Sequence, residues 1–309
     1  MKKQKTVSIK AKLLGVIIPV VIAIVVVLVV AAYQISAGTI KKYSQNLLQS
    51  SVENQASQIE AWLNENLASF QMAKTIIEDL KPSDEELKTI LDGYYGYNSN
   101  YPEGLYVADS TGQLITASES TKKESDVTNS TWYKEGLTRV NMAVGSAYQN
   151  ADGVNVISAS GILNDGSDKV RVISADMTLD RIAIIVNSFI EMNDAEAFLV
   201  DKTSGVILAN RDSSLISQTL GAEGQSHFYQ LTAEKAAEKD YNFATLDGNM
   251  TVFQEVDGTN WLLISYIPTS IVLSDLTQLR NIMIVISVIC IALLCVCLLY
   301  TSPSPRDTR

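Results

Sequence analysis

The chain predicts an α+β protein: one long N-terminal helix, then two tandem antiparallel-sheet modules, with a membrane-crossing helix before and after. Three observations carry this. Two charge-free apolar runs, Leu13–Tyr33 and Ile282–Tyr300, flank most of the 309 residues, and each is close to the roughly 20 apolar residues a helix needs to cross a bilayer. Between them, Leu48, Val52, Ile59, Leu63, Leu67, Phe70 and Ile77 recur at threes, fours and their sums, which marks one stripe of a helix. Past Pro82 the period shortens and a theme appears twice, at Leu105–Thr116 and at Ala195–Ala209: apolar strand, Asp, small turn with Gly, apolar strand.

Residues 1–12 carry Lys2, Lys3, Lys5, Lys10 and Lys12 and no acid, so the positive-inside rule places them in the cytoplasm. The run 13–33 reads as an uncleaved anchor, because its apolar part exceeds a signal core and Ala31-Ala32 is a poor cleavage cue. Pro19 within it is tolerated in a membrane helix. A helix over 34–80 then leads out of the membrane and stops at Lys81-Pro82. Ser83-Asp84-Glu85-Glu86 opens a short helix with a capping box.

The first module spans 81–180. Its strands fall at Gly104–Asp109, Gln113–Thr116, Gly145–Gln149, Val154–Ser160 and Lys169–Asp176, with a polar loop over Ser118–Ser130, a helix at Thr131–Val140 and a connecting helix at Thr178–Phe189. The second module spans 181–270, with a helix at Gln230–Lys239 and strands at Tyr241–Leu246, Met250–Val256 and Trp261–Tyr266. Asp247-Gly248 and Asp257-Gly258 are its hairpin turns. The second span, 282–300, returns to the cytoplasm. Residues 301–309, with two prolines and no apolar pattern, read as a truncated or artefactual tail.

Charge and cysteines exclude several classes. Of 34 acidic residues all but Asp307 lie between the two runs, whereas Lys2, Lys3, Lys5, Lys10, Lys12, Arg306 and Arg309 of the 24 basic residues lie outside them. An exterior this acidic has no use for nucleic acid. All three cysteines, Cys290, Cys295 and Cys297, sit inside the second run, so the exported part forms no disulfide. His227 is the sole histidine, and no catalytic set, metal spacing or phosphate loop stands out; neither catalysis, cofactor nor metal is expected. Asp109, Asp201, Asp247 and Asp257 lie at strand ends where Asp favours turns.

The stretch Trp132 to Asp176 is the candidate pocket. Trp132, Tyr133, Tyr148 and Asp176 place aromatic faces and one carboxylate at separated points, which suits a small cation. Trp and Tyr at such spacings also build cores, so packing and pocket remain two readings of the same residues.

Several segments resemble the double Cache (dCache) sensor domain of bacterial transmembrane receptors: GLYVADSTGQLI, STWYKEGL, SAYQNADG, KVRVISADMTLD and AFLVDKTSGVILA…DGTNWLLISYIP. The opening VSIKAKLLGVIIPVVI is similar to the start of methyl-accepting chemotaxis receptors. The resemblance implies two PAS-like modules, the membrane-distal one binding the ligand. In the amino-acid-binding subgroup an Arg two residues before a Trp, then a Tyr, then an Asp hold the ligand. Trp132, Tyr148 and Asp176 take the last three places, and Ser130 stands where the Arg would be. A serine cannot clamp a carboxylate as a guanidinium fork does. The retained Asp holds an ammonium, so the implied ligand is an amine without a carboxylate; a neutral nucleobase-type ligand is the alternative. Arg171 lies five positions from Asp176 on one strand and should face away from it, while Arg139 stays open as a substitute cation.

The function expected is therefore an extracytoplasmic small-ligand sensor of a chemoreceptor in the cell membrane, a homodimer packed along residues 36–75 unless a partner within the chain consumes the same stripe. The rivals are the sensor portion of a diguanylate cyclase or histidine kinase, and a ligand-free surface protein.

Overall fold

The computed structural model describes residues 9–150, 153–188, 192 and 194–301. The first eight residues, Phe189 and the tail beyond Thr301, on which the cytoplasmic N-terminus, the end of the connecting helix and the artefactual tail are expected, lie outside the described residues. The chain divides into two compact units, Met1–Asn46 with Pro268–Arg309, and Leu47–Ile267.

Helix α1 runs from Ile9 to Leu80 with Pro19 inside it. Its apolar stripe is largely buried within the chain: Leu48, Val52, Ile59, Phe70 and Ile77 have no exposed surface, Leu63 is 3% exposed and Leu67 is half-buried. The stripe therefore closes a core inside the Leu47–Ile267 unit, which removes it as an argument for a dimer seam. Lys81, with φ at 48°, ends the helix in a left-handed turn before Pro82. Helix α2 (Asp84–Asp92) opens with the anticipated capping box, Ser83 and Glu86 each bonding the other's backbone.

The first sheet is built from β1 (Leu105–Asp109), β2 (Leu114–Ile115), β3 (Ala143–Gln149), β4 (Asn155–Leu163) and β5 (Arg171–Thr178), in the order β2-β1-β5-β4-β3. Helix α3 (Thr131–Gly136) packs on it and α4 (Asp180–Val186) leaves it. The second sheet comprises β6 (Glu196–Asp201), β7 (Ile207–Asn210), β8 (Ala244–Leu246), β9 (Asn249–Val256) and β10 (Trp261–Pro268), in the order β7-β6-β10-β9-β8. The two orders are the same, so the repeat seen in the sequence is a repeat of topology. Helix α5 (His227–Ala237) covers the second sheet, its Phe228 buried with Phe198, Val200, Ile207 and Phe253. Asp247 and Gly248, both at positive φ, form the tight β8–β9 turn.

Some boundaries differ from expectation. Helix α3 ends at Gly136, four residues early, and the backbone turns through Leu137–Arg139. Thr178 belongs to β5 because it pairs with Val156, which delays α4. Tyr241 precedes β8 and packs against Phe253 instead of pairing. Helices α6 (Thr269–Val272) and α7 (Ser274–Thr301) close the chain. The helices over Gly15–Leu80 and Thr269–Cys297 are long and apolar enough to cross a membrane.

Candidate functional site

Strand register assembles the site. In antiparallel pairs, residues directly opposite share a face, and so do residues two apart on one strand. Ser158 on β4 is opposite Asp176 on β5, and Tyr106 on β1 is opposite Ser174, two residues before Asp176. Tyr148 on β3 is opposite Val156, two residues before Ser158. Tyr106, Tyr148, Ser158 and Asp176 therefore converge on one face from four neighbouring strands.

They converge on the Asp176 carboxylate, 6% exposed. Its Oδ1 accepts from the Tyr106 hydroxyl at 2.5 Å, the Ser158 hydroxyl at 2.5 Å and the Tyr148 hydroxyl at 2.9 Å. Its Oδ2 accepts from the Lys122 ammonium at 2.6 Å. That ammonium also stands over the Tyr106 ring, 4.2 Å from its centroid. Burial, and then the Asp176 charge, push both tyrosine hydroxyls well above their ordinary value, so both remain donors.

A cavity of about 420 Å³ opens beside this carboxylate, within the range of small-molecule sites. Lys122, Glu124, Ser130, Tyr148, Val156 and Asp176 are among its lining residues. Burial foremost raises the Glu124 carboxyl and the nearby Asp176 charge adds to it; the Trp132 N–H, at 2.9 Å, and Lys122 oppose.

Of the five residues singled out in the sequence, Ser130, Tyr148 and Asp176 line this cavity. Trp132 and Tyr133 are not among its lining residues. Trp132, wholly buried, meets Tyr106 edge-on at 4.8 Å and Tyr133 at 5.7 Å, in a cluster with Ala108, Val127 and Val172. Its contact with the cavity passes through Glu124. Ser130 turns its hydroxyl onto the Val127 carbonyl at 2.6 Å.

Neither arginine reaches the cavity. Arg171 faces away, as expected, and pairs with Asp165 at 2.7 Å and with Asp84. Arg139, left open as a substitute cation, instead donates to the Ala143 carbonyl at 3.0 Å beside Glu135. The cation bonded to Asp176 is Lys122, and Lys123 also lines the cavity; sequence reasoning missed both, along with Tyr106, Ser158 and Glu124. Counting outward from the turn expected at Asn164–Asp168 sets Ser158 opposite Ser174, on the face of Asp176; only the observed Leu163–Arg171 register sets it opposite Asp176 itself. Nothing in the polar loop distinguishes Lys122 from Lys123. Among the described residues no group of His, Cys, Asp and Glu is placed to hold a metal ion.

No curated protein sequence matches the chain. Solved structures do match its fold. The ligand-binding domain of the Pseudomonas fluorescens chemoreceptor CtaA, in complex with L-isoleucine, superposes with a TM-score of 0.61 at 20% identity, over 77% of this chain and 98% of that one. The ligand-binding domain of Mlp24 with asparagine gives 0.61 at 16% identity, over 76% and 98%. The ligand-binding domain of the Pseudomonas aeruginosa amino-acid chemoreceptor PctC, in complex with GABA, gives 0.56 at 19% identity, over 72% and 99%. At these identities the likeness is one of fold. The Cache-domain family model, dCache_1, matches residues 32–276, which hold the long helix from residue 32 onward and both sheets, and the chain belongs to that family.

Proposed function

We propose that this chain is the sensing and membrane-spanning portion of a chemoreceptor, with the ligand held in the cavity beside Asp176. In this reading 13–33 and 282–300 cross the cell membrane, the N-terminus is cytoplasmic, and 81–180 is the membrane-distal, ligand-binding module. Residues 181–270 form the proximal module, whose last strand continues in sequence into the second membrane helix. The family membership and the chemoreceptor domains that share the fold support it. The observation that carries it is the cavity, with a buried, multiply bonded carboxylate in its wall at the point where four strands converge.

The ligand is a small amine. Asp176, Glu124 and Glu103 line the cavity with Lys122 and Lys123, and no arginine does; the acids outnumber the lysines and no guanidinium fork is present, so an ammonium is better served there than a carboxylate. A neutral ligand is the second reading, favoured by the Lys122–Asp176 pair, which already neutralises the wall. A ligand signals only through unequal affinity for two conformations. A homodimer would have to use the other face of α1, where Tyr43 and Met72 are exposed, because the stripe is buried.

Calorimetry on the full chain in nanodiscs, against primary amines, quaternary amines, amino acids and nucleobases, tests this. Saturable binding of an amine that fails in Asp176→Asn is the expected result. An amine bound equally by that variant removes the role given to Asp176. A nucleobase bound alone selects the neutral reading, and no saturable binding by any class overturns the sensor reading.

A further inference from the structure

The sequence points to a cation between an aromatic face and a buried carboxylate, and the structure supplies that cation from the chain itself. We propose that Lys122 is a tethered occupant of the ammonium subsite, so that a ligand ammonium reaches Asp176 only by displacing it. The inference rests on the sensor reading above and names a specificity determinant within the same cavity.

The arrangement of donors argues for it. An ionised carboxylate offers about four acceptor sites. At Asp176 three hydroxyls crowd Oδ1 and one ammonium takes Oδ2. The three hydroxyls belong to β1, β3 and β4 and are placed by the ladder. Lys122 alone comes from a segment outside any helix or strand, between Ala117 and Val127. Its side chain is 11% exposed and itself lines the cavity. Of the four donors it is the one that can leave without breaking a strand pair. Its contacts are those a free alkylammonium would make: a charged bond at 2.6 Å and a tyrosine face at 4.2 Å.

Two consequences follow. A simple amine gains little, since it trades one ammonium for another, so only a ligand with further contacts in the cavity competes. Its entry also releases the segment around Lys122, which ties occupancy to a local rearrangement. The same segment is held elsewhere by the Ser120 hydroxyl, which bonds Glu103 at 2.5 Å.

Replacing Lys122 with Ala deletes the equivalent of n-propylammonium, which is therefore the probe. Full-length Lys122→Ala in detergent should bind n-propylammonium at least tenfold more tightly than the native chain does. At about tenfold excess over its dissociation constant its melting midpoint should rise by roughly 3–6 °C. Equimolar potassium chloride should not reproduce the rise, nor should the Lys122→Ala, Asp176→Asn double variant show it. If Lys122→Ala does not fold, Lys122→Gln, which keeps an N–H donor and withdraws the charge, takes its place. An equal response in native and variant chains, or none beyond the salt control, overturns the proposal. That failure leaves the sensor reading standing, since the ligand panel on the native chain tests it separately.

Discussion

Asp109 illustrates how a single side chain serves the fold where no ligand is involved. It closes β1 with an Asx turn, its Oδ1 accepting from the Thr111 and Gln113 backbones, while its Oδ2 takes the Lys169 ammonium at 2.5 Å. Burial alone would raise its carboxyl, but Lys169 and the Thr111 and Gln113 bonds prevail and hold it down at about 2, below the ordinary 3.8. The folded state thus holds this proton less tightly than the unfolded state does. The stability it contributes is complete above pH 3.8 and disappears as pH falls toward 2. Asp109→Asn should therefore melt below the native chain at pH 7, with the gap closing between pH 4 and pH 2. Midpoints measured across that range check it, and a gap constant with pH would refute the assignment. Asp201 makes the corresponding turn after β6, bonding the Thr203 and Ser204 backbones, so the turn role assigned to both from sequence was legible. The role of Lys122 was not. It lies in a polar loop without periodicity, 54 positions from its partner, and no local rule selects one lysine of Lys122-Lys123 for burial. Trp132 shows the same limit: its sequence position marked an important aromatic, yet only packing could place it behind the cavity wall.

Secondary structure was more readable, because each element answers to a period or a turn that the chain displays. The β4–β5 and β8–β9 hairpins lie where Asn164–Asp168 and Asp247-Gly248 predicted them. The ends of α3 and α4 were misjudged because they are set by contacts with the sheet, which leave no mark in periodicity. Helix α3 shows this at Gly136. A Cβ built there would stand 2.3 Å from Val172 Cγ1 and 3.2 Å from Ser160 Cβ, so the helix approaches β4 and β5 as closely as it does only because residue 136 has no side chain. That approach seats Trp132 and Tyr133 in their cluster with Val172. Gly136→Ala should cost about 1–3 kcal/mol by overpacking, despite the better helix propensity of Ala. Adding Val172→Ala should return part of the loss, since it removes the methyl in the way; the double variant should be more stable than the sum of the two singles predicts. Urea melts of the four proteins decide it, and strict additivity would show that the contact does not limit the approach.

For the Leu47–Ile267 unit as a whole, one helix backs both sheets. Toward the first, the Gln71 Oε1 of α1 accepts from the Met142 backbone and the Glu78 Oε1 from that of Asn164, each at 2.8 Å. Toward the second, the Glu60 Oε1 accepts from the Asp257 backbone at 2.8 Å. On the same helix the Gln55 amide donates to the carbonyls of Ile185, Val186 and Ser188, at the end of the helix that joins the modules. The modules also touch directly, Asn155 of β4 donating to the hydroxyl of Ser217, in the turn that follows β7, at 2.7 Å. Neither module can shed α1 without opening a row of buried apolar side chains, so the two should unfold as one cooperative body, although the topological repeat would allow two. Ile77→Ala, at the end of α1 that serves the first sheet, should cost about 2–5 kcal/mol and lower one shared transition. Amide exchange should then speed up in β9 and β10 as well as in β4 and β5, because opening the spine exposes both sheets. Two separated transitions, with faster exchange confined to the first sheet, would show that the modules are stabilised independently, and that occupancy of the first reaches the second by some route other than α1.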